Sequence, residues 1–201
     1  PRRARQRQER QNGDGKAARD HGSIKPQRRD ETRQLCSLAW IQRLDGGMNE
    51  DVIVRTEGRL GRLSLNRPQA LNALNLAMCE AMLDALDAWR DAPAVDGVLL
   101  DHASGRGFCA GADIRRIAAE GSTLGRPFFA TEYRLNHALF TYPKPVIAIM
   151  DGVVMGGGAG LALPARARIA TERTVFAMPE TAIGLIPDVG GGWHLPRLRG
   201  E

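Results

Sequence analysis

Residues 145–164 read PVIAIMDGVVMGGGAGLALP, and this apolar run decides which class of fold the chain can adopt. The run is long enough for a membrane-spanning helix, but it contains Asp151 and a cluster of glycines, which are typical of a turn. The sequence on either side of it is also typical of strands. We therefore predict a buried strand at 145–152, a glycine-rich turn, and a short buried helix near 157–163.

The neighbouring segments repeat this alternation of strands and helices. Apolar and polar residues alternate at 51–56 and 60–65 around Gly58, which predicts a β-hairpin. The further predicted elements are a helix over 66–93 that Pro93 closes, a strand at 95–103, a glycine loop and helix at 104–121, a helix at 126–144 and a strand at 167–178. This order predicts an α/β fold with right-handed crossovers.

The basic residues are concentrated at one end of the chain. Residues 1–35 carry 11 Lys/Arg and 5 Asp/Glu, whereas the remaining residues carry 17 and 18. Because this segment has almost no apolar residues, we expect 1–47 to be a disordered extension and 48–201 to be the folded domain. The extension is interpreted as in-frame leader sequence before Met48, with an arm that binds nucleic acid as the alternative.

The cysteines and histidines do not form an evident reactive or metal-binding site. Three cysteines without CxxC spacing favour free thiols in a reducing, cytoplasmic compartment. Cys109 is interpreted as a buried thiol and not as a nucleophile, because no nearby His or Asn supports its activation. The four histidines lack metal-ligand spacing, and a structural role is expected for His194. We therefore expect neither a metal nor a separate cofactor.

Two glycine loops carry the strongest functional signal. FCAGAD at 108–113 and VVMGGGAG at 153–160 each end a strand and open a helix. Such turns leave backbone N–H groups unpaired at helix N-termini, where they can bind an anion. Two of these groups that converge on one point form an oxyanion hole, which stabilises charge on a carbonyl oxygen. Tight packing of a helix on a strand is the alternative explanation for either loop alone.

Two acidic residues follow in a segment that is otherwise apolar or rich in glycine. The stretch MPETAIGLIPDVGGG at 178–192 places Glu180 and Asp188 each next to a proline. If both carboxylates lie in one apolar pocket, their charges should push the two pKa values apart, which suits acid–base chemistry. The alternative role of Glu180 is to interact with the dipole at a helix N-terminus.

These motifs together resemble the crotonase (enoyl-CoA hydratase/isomerase) superfamily over about residues 50–201. The matching segments are LSLNRPQALNALN, GFCAGADI, MDGVVMGGGAGLA and MPETAIGLIPDVGGGWHLPRL. The resemblance implies a spiral of ββα units, truncated at its C-terminus, that binds acyl-CoA and assembles as a homo-oligomer. It implies oxyanion N–H donors at Ala112 and Gly157. It also implies that Ala110 and Gly156 line the substrate groove.

One departure from the hydratase pattern indicates the branch of the family. Hydratases carry a second glutamate three residues after the oxyanion glycine, and this chain has Gly160 there. The remaining pattern resembles the branch that hydrolyses 3-hydroxyisobutyryl-CoA, a thioester of valine catabolism. This resemblance implies a catalytic Glu180, a catalytic or orienting Asp188, and a substrate-binding Glu132 in EYRLN. A solvated helix face is the alternative for Glu132.

Three other functions stay open at this point. An enoyl-CoA hydratase or isomerase is the first, because an isomerase also works with one carboxylate at the position of Glu180. A relative that binds RNA through residues 1–47 is the second, although a nucleic-acid partner is disfavoured. An inactive fragment is the third, because family members continue past PRLRGE, and the chain would then expose apolar surface. No membrane association is expected.

Overall fold

The computed structural model describes residues 50–198 of the 201-residue chain. The predicted N-terminal extension at 1–47 lies outside the described residues. The described part contains eight strands, which are β1 (Val52–Glu57), β2 (Leu60–Leu65), β3 (Gly97–His102), β4 (Gly107–Cys109), β5 (Val146–Met150), β6 (Val153–Met155), β7 (Ala167–Ala170) and β8 (Val175–Ala177). Its α-helices are α1 (Leu76–Arg90), α2 (Ile114–Glu120), α3 (Ser122–Phe140), α4 (Gly157–Ala162) and α5 (Gly191–His194). Short 3₁₀ helices lie at Pro68–Ala70, Glu180–Ile183 and Leu195–Arg197.

The described strands form two sheets. The larger has the order β1-β2-β3-β5-β7, and the smaller has the order β4-β6-β8. The hairpin of β1 and β2 is antiparallel, and the other pairs are parallel. Each parallel pair is joined by a crossover, which confirms the predicted α/β spiral.

Helix α1 supplies much of the core between these layers. It begins at Leu76 because the Asn75 side chain accepts a hydrogen bond from the backbone N–H of Met78, at 2.8 Å. Its buried apolar face packs into one cluster with residues of β2, β3 and β5. At its C-terminal end the indole ring of Trp89 covers Gly61 of β2, where a Cβ atom would overlap the ring. The helix ends at Arg90, before Pro93, as predicted.

Three predicted elements have wrong boundaries. The segment 167–178 is not one strand, because β7 belongs to the larger sheet and β8 to the smaller one. A turn at 171–174 separates them, where Thr171 and Arg173 both donate hydrogen bonds to the Asp151 carboxylate. The helix predicted at 126–144 runs from Ser122 to Phe140, with Pro127 inside it. The helix predicted over 66–93 begins only at Leu76, after the 3₁₀ helix at Pro68–Ala70.

As predicted, the apolar stretch 145–164 contains a strand, β5, and a buried helix, α4. Between them it also forms β6, which belongs to the smaller sheet. Among residues 50–198, no helix is both long enough and apolar enough to cross a membrane. Several large apolar side chains are exposed among the described residues. They are Ile169, Val175, Phe176, Ile183, Leu185, Ile186 and Trp193.

Candidate active site

The three strands of the smaller sheet end at one edge, and the candidate site lies there. Strands β4, β6 and β8 are parallel neighbours, so the residues that follow them come close together. Ala110 follows β4, Gly156 follows β6, and Glu180 lies three residues beyond the end of β8. Ligands of open α/β sheets bind beyond the carboxyl ends of the strands.

The first glycine loop is held by the segment that precedes α1. The backbone N–H of Ala110 donates to Leu71 O at 3.0 Å, and the N–H of Leu74 donates to Gly111 O at 2.7 Å. The N–H of Asp113 donates a hydrogen bond to Leu74 O at 2.9 Å. Because the residues on either side of Ala112 make the bonds to Leu74, the N–H of Ala112 faces the opposite side. An N–H group that is not bonded to Leu74 can serve as an oxyanion donor.

Asn72 anchors the same segment from within the core. Its side chain is buried, accepts from the Arg67 N–H at 2.6 Å and donates to Gly107 O at 2.7 Å. Its φ of +55° is a left-handed conformation that Asn adopts more readily than most residues. Asn72 therefore connects the turn before α1 to the start of β4 and fixes the position of the loop after β4.

The second glycine loop lies against the first. Gly157 is the first residue of α4, so its N–H has no partner within the helix. A methyl group placed on Gly111 would lie 3.3 Å from Gly157 N, and one placed on Gly157 would lie 3.5 Å from Ala112 N. The backbone nitrogens of Ala112 and Gly157 thus border the same small space, as the predicted oxyanion hole requires.

Glu180 is buried directly against this turn. Its side chain is 8% exposed, and neither carboxylate oxygen has a hydrogen-bond partner among residues 50–198. A methyl group on Gly156 would lie 2.9 Å from Glu180 Oε1, and Gly156 has a φ of +50°. Only glycine permits both this backbone conformation and the close approach of the carboxylate. A buried carboxylate without a partner is costly to the fold, which is typical of a group kept for function.

Glu132 is the third carboxylate of the site. It is 1% exposed, so the alternative that it lies on a solvated helix face is wrong. Its Oε1 atom has no partner among the described residues and touches Gly157, where a Cβ atom would collide with it. Burial raises the pKa of Glu132 to about 8, and the negative charges of Asp188 and Glu180 add to this effect.

Asp188 lies at the far side of the site and is half-buried. Its Oδ2 atom accepts a hydrogen bond from the Tyr133 hydroxyl at 2.6 Å. The next residue, Val189, is buried with a φ of +42°, which is strained for a β-branched side chain. The predicted separation of the pKa values of Glu180 and Asp188 stays a prediction.

The structure brings all the predicted site residues to one cavity of about 190 Å³. Ala110, Ala112, Glu132, Gly156, Gly157, Glu180 and Asp188 all line it. The sequence motifs did not indicate the apolar walls of the cavity, formed by Ile114, Phe129, Ile183 and Leu185, or the role of Tyr133. Tyr133 follows Glu132 directly in EYRLN, so adjacency in that motif was the only signal available.

A family model described as Enoyl-CoA hydratase/isomerase matches residues 60–201. The chain belongs to this family. It is 45% identical over 177 residues to a protein of Danio rerio named 3-hydroxyisobutyryl-CoA hydrolase, mitochondrial. That match covers 84% of this chain and 46% of the relative. It is 48% identical over 160 residues to the protein of that name from Xenopus laevis, and this match covers 78% of this chain and 40% of the relative.

The solved structures also support the predicted crotonase-like fold. The crystal structure of a carnitinyl-CoA dehydratase from Mycobacterium thermoresistibile matches with a TM-score of 0.72 and 47% identity. The match covers 76% of this chain and 46% of that one. The chain spans less than half the length of these three proteins.

The position of the second hydratase glutamate is closed by packing in this chain. A methyl group on Gly160 would lie 2.6 Å from Val189 Cβ and 3.1 Å from Asn136 Nδ2. A side chain at this position therefore has no room unless Val189 moves. Both polar atoms of the Asn136 amide are buried without a hydrogen-bond partner among residues 50–198.

The remaining candidate groups lie apart from this chemistry. Cys109 is fully buried, as expected, and burial raises the pKa of its thiol to about 12. His194 packs edge-to-face on Phe140, with ring centroids 5.6 Å apart. Within the described part of the chain, no three His, Cys, Asp or Glu side chains come together as metal ligands would.

Proposed function

We propose that this protein hydrolyses the thioester of a short 3-hydroxyacyl-CoA, with 3-hydroxyisobutyryl-CoA of valine catabolism as its substrate. The observation that carries the proposal is the buried carboxylate of Glu180 beside Gly156, with the position of the second hydratase glutamate closed by Val189. The names of the relatives from Danio rerio and Xenopus laevis support the choice of substrate.

The substrate carbonyl is polarised by the two glycine loops. The thioester oxygen accepts hydrogen bonds from the N–H groups of Ala112 and Gly157. These donors become more effective as negative charge develops on that oxygen, because they lie in a buried site and need no reorganisation. Removing one such donor from an enzyme typically lowers kcat by about a hundredfold or more.

Glu180 then acts on the carbonyl carbon by one of two routes. As a nucleophile, its carboxylate attacks that carbon, the C–S bond breaks, and coenzyme A leaves as a thiolate that takes up a proton. Water afterwards hydrolyses the mixed anhydride, which releases the acid and restores Glu180. As a general base, Glu180 instead takes a proton from the water that attacks the thioester directly.

The other two carboxyl groups recognise the acyl portion. Asp188 accepts a hydrogen bond from the 3-hydroxyl group or from the attacking water. Glu132 holds its proton at neutral pH, because its pKa is raised to about 8, and so donates a hydrogen bond to the substrate. Coenzyme A is part of the substrate, and the mechanism uses no separate cofactor or metal.

The test is a thiol-release assay with 3-hydroxyisobutyryl-CoA, isobutyryl-CoA and crotonyl-CoA. Glu180→Gln keeps the shape of the side chain but removes the base or nucleophile, so kcat should fall about a hundredfold or more. The matched control is Glu172→Gln, which changes an exposed glutamate outside the site and should leave kcat unchanged. Hydration of crotonyl-CoA faster than thiol release from 3-hydroxyisobutyryl-CoA would refute the proposal.

An enoyl-CoA isomerase is the second candidate, because a single carboxylate that shuttles a proton along the acyl chain is compatible with Glu180 and Gly160. The products distinguish the two reactions, since a hydrolase releases free coenzyme A and an isomerase does not. A homo-oligomer and the absence of a nucleic-acid partner are further parts of our proposal. The cytoplasmic location also remains a proposal, with the mitochondrial location in the relatives' names as its alternative.

A further inference from the structure

Tyr133 is the one side chain among residues 50–198 that hydrogen-bonds to the Asp188 carboxylate. Its hydroxyl donates to Asp188 Oδ2 at 2.6 Å and joins α3 to the loop before α5. Tyr133 does not itself line the 190 Å³ cavity that contains Glu180, whereas Asp188 does. It instead lines a neighbouring, larger groove together with Asn136 and Phe140, and Asp188 separates the two spaces.

The loop that carries Asp188 has few other constraints. Residues 185–188 lie outside regular secondary structure, between Gly184 and the strained Val189. Its backbone is held at its two ends, where Leu185 N donates to Glu180 O at 3.0 Å and Gly191 N donates to Asp188 O at 2.7 Å. The direction of the Asp188 side chain therefore depends on the bond from Tyr133.

The hydrogen bond also decides what kind of group the pair can recognise. A phenol has one proton, and Tyr133 has committed it to Asp188. Burial and the hydrogen bond to Asp188 raise the pKa of Tyr133 above its usual range, so the hydroxyl stays protonated at neutral pH. A carboxylate that is bonded in this way offers only acceptors to a ligand. The matching ligand group is a hydrogen-bond donor such as a hydroxyl.

We propose that Tyr133 is a positioning residue, which turns Asp188 Oδ1 toward the cavity to accept the 3-hydroxyl group of the substrate. The inference rests on the function proposed above and extends it to selectivity. A 3-hydroxyacyl group is selected over a 3-oxo or an unsubstituted acyl group, because only the first can donate to Asp188. Tyr133 acts through Asp188 and does not touch the reacting atoms.

The experiment is to compare kcat/KM for 3-hydroxyisobutyryl-CoA and isobutyryl-CoA in the full chain and in Tyr133→Phe. Phenylalanine keeps the ring, which lies 6.2 Å from the ring of Phe129, and removes only the hydroxyl. The preference for the 3-hydroxy substrate should fall about three- to tenfold, as expected for one lost hydrogen bond. The change should appear as a higher KM for that substrate, with little change for isobutyryl-CoA.

Tyr142→Phe is the matched control, because its hydroxyl donates to Leu86 O at 2.7 Å, outside the site. This variant should keep the wild-type preference. A second variant tests whether Tyr133 acts through Asp188. If it does, Tyr133→Phe should change the preference no further once Asp188→Gly is present. Additive effects of the two substitutions would overturn the proposal, and so would an unchanged preference in Tyr133→Phe.

Tyr133 is 46% exposed, so Tyr133→Phe should fold, and circular dichroism checks this. If it does not fold, Tyr133→Leu replaces it in the same comparison. If the wild-type chain releases no thiol, the proposed hydrolase activity fails, and the preference is measured as a ratio of Kd values by calorimetry. Loss of that binding preference in Tyr133→Phe would still support the inference. The inference would also be overturned if the wild-type chain bound 3-hydroxyisobutyryl-CoA and isobutyryl-CoA equally well, or bound neither thioester.

Discussion

Replacing Glu132 with glutamine should make the protein more stable, and the gain should depend on pH. The folded chain keeps the Glu132 proton up to about pH 8, whereas a carboxyl group of this type ordinarily loses its proton near 4.5. Between these two values the unfolded state binds fewer protons than the folded state. Raising the pH through this window therefore favours unfolding of the wild-type chain.

The size of the effect follows from the difference between the two pKa values. Each pH unit between 4.5 and 8 costs the wild-type chain about 1.4 kcal/mol of unfolding free energy. Glu132→Gln has no proton to lose at this position, so it avoids this cost. Its advantage over wild type should grow by about 3 kcal/mol between pH 4.5 and pH 7, and should level off above pH 8. The glutamine amide itself also changes the free energy of unfolding, by an amount that does not depend on pH.

Urea denaturation at pH 5, 6, 7 and 8 measures this difference. Glu80→Gln is the matched control, because Glu80 is an exposed glutamate on α1 and its replacement should change stability by less than about 0.5 kcal/mol at each pH. A difference between wild type and Glu132→Gln that is flat across this range would show that Glu132 is not buried as described. Because the glutamine amide can also donate a hydrogen bond, the same variant should keep most of its substrate binding.

Three further substitutions and one control variant test the packing around the site. Asn72→Ala removes both side-chain hydrogen bonds of a buried residue and should cost about 2–4 kcal/mol in urea denaturation; a loss below 1 kcal/mol would contradict its anchoring role. Gly160→Ala places a methyl group 2.6 Å from Val189 Cβ and should cost about 1–3 kcal/mol, whereas Gly192→Ala, with open space around it, should be neutral or stabilising in thermal denaturation. Asn136→Leu removes an amide without partners and should raise the unfolding free energy by about 1 kcal/mol; a lower value would mean that the amide is satisfied in solution.

Much of this protein could be predicted from short patterns in its sequence. The hairpin around Gly58, the buried stretch 145–164 and the two glycine loops depend on local rules of backbone conformation, hydrophobic periodicity and helix termini. The family motifs pointed to Glu132, Glu180 and Asp188, and these three residues line one cavity. The absence of a glutamate at Gly160 could also be read directly from the sequence.

Other properties of the site depend on residues that are distant in the chain, and only the tertiary structure decided them. Helical periodicity does not reveal that α3 turns Glu132 inward beneath Gly157, and this burial is what raises the pKa of Glu132 to about 8. The separation of β7 from β8 arises because Asp151 binds the turn between them. The contact of Tyr133 with Asp188 joins two residues that are 55 positions apart. These features come from desolvation and from contacts between segments, which a local pattern does not specify.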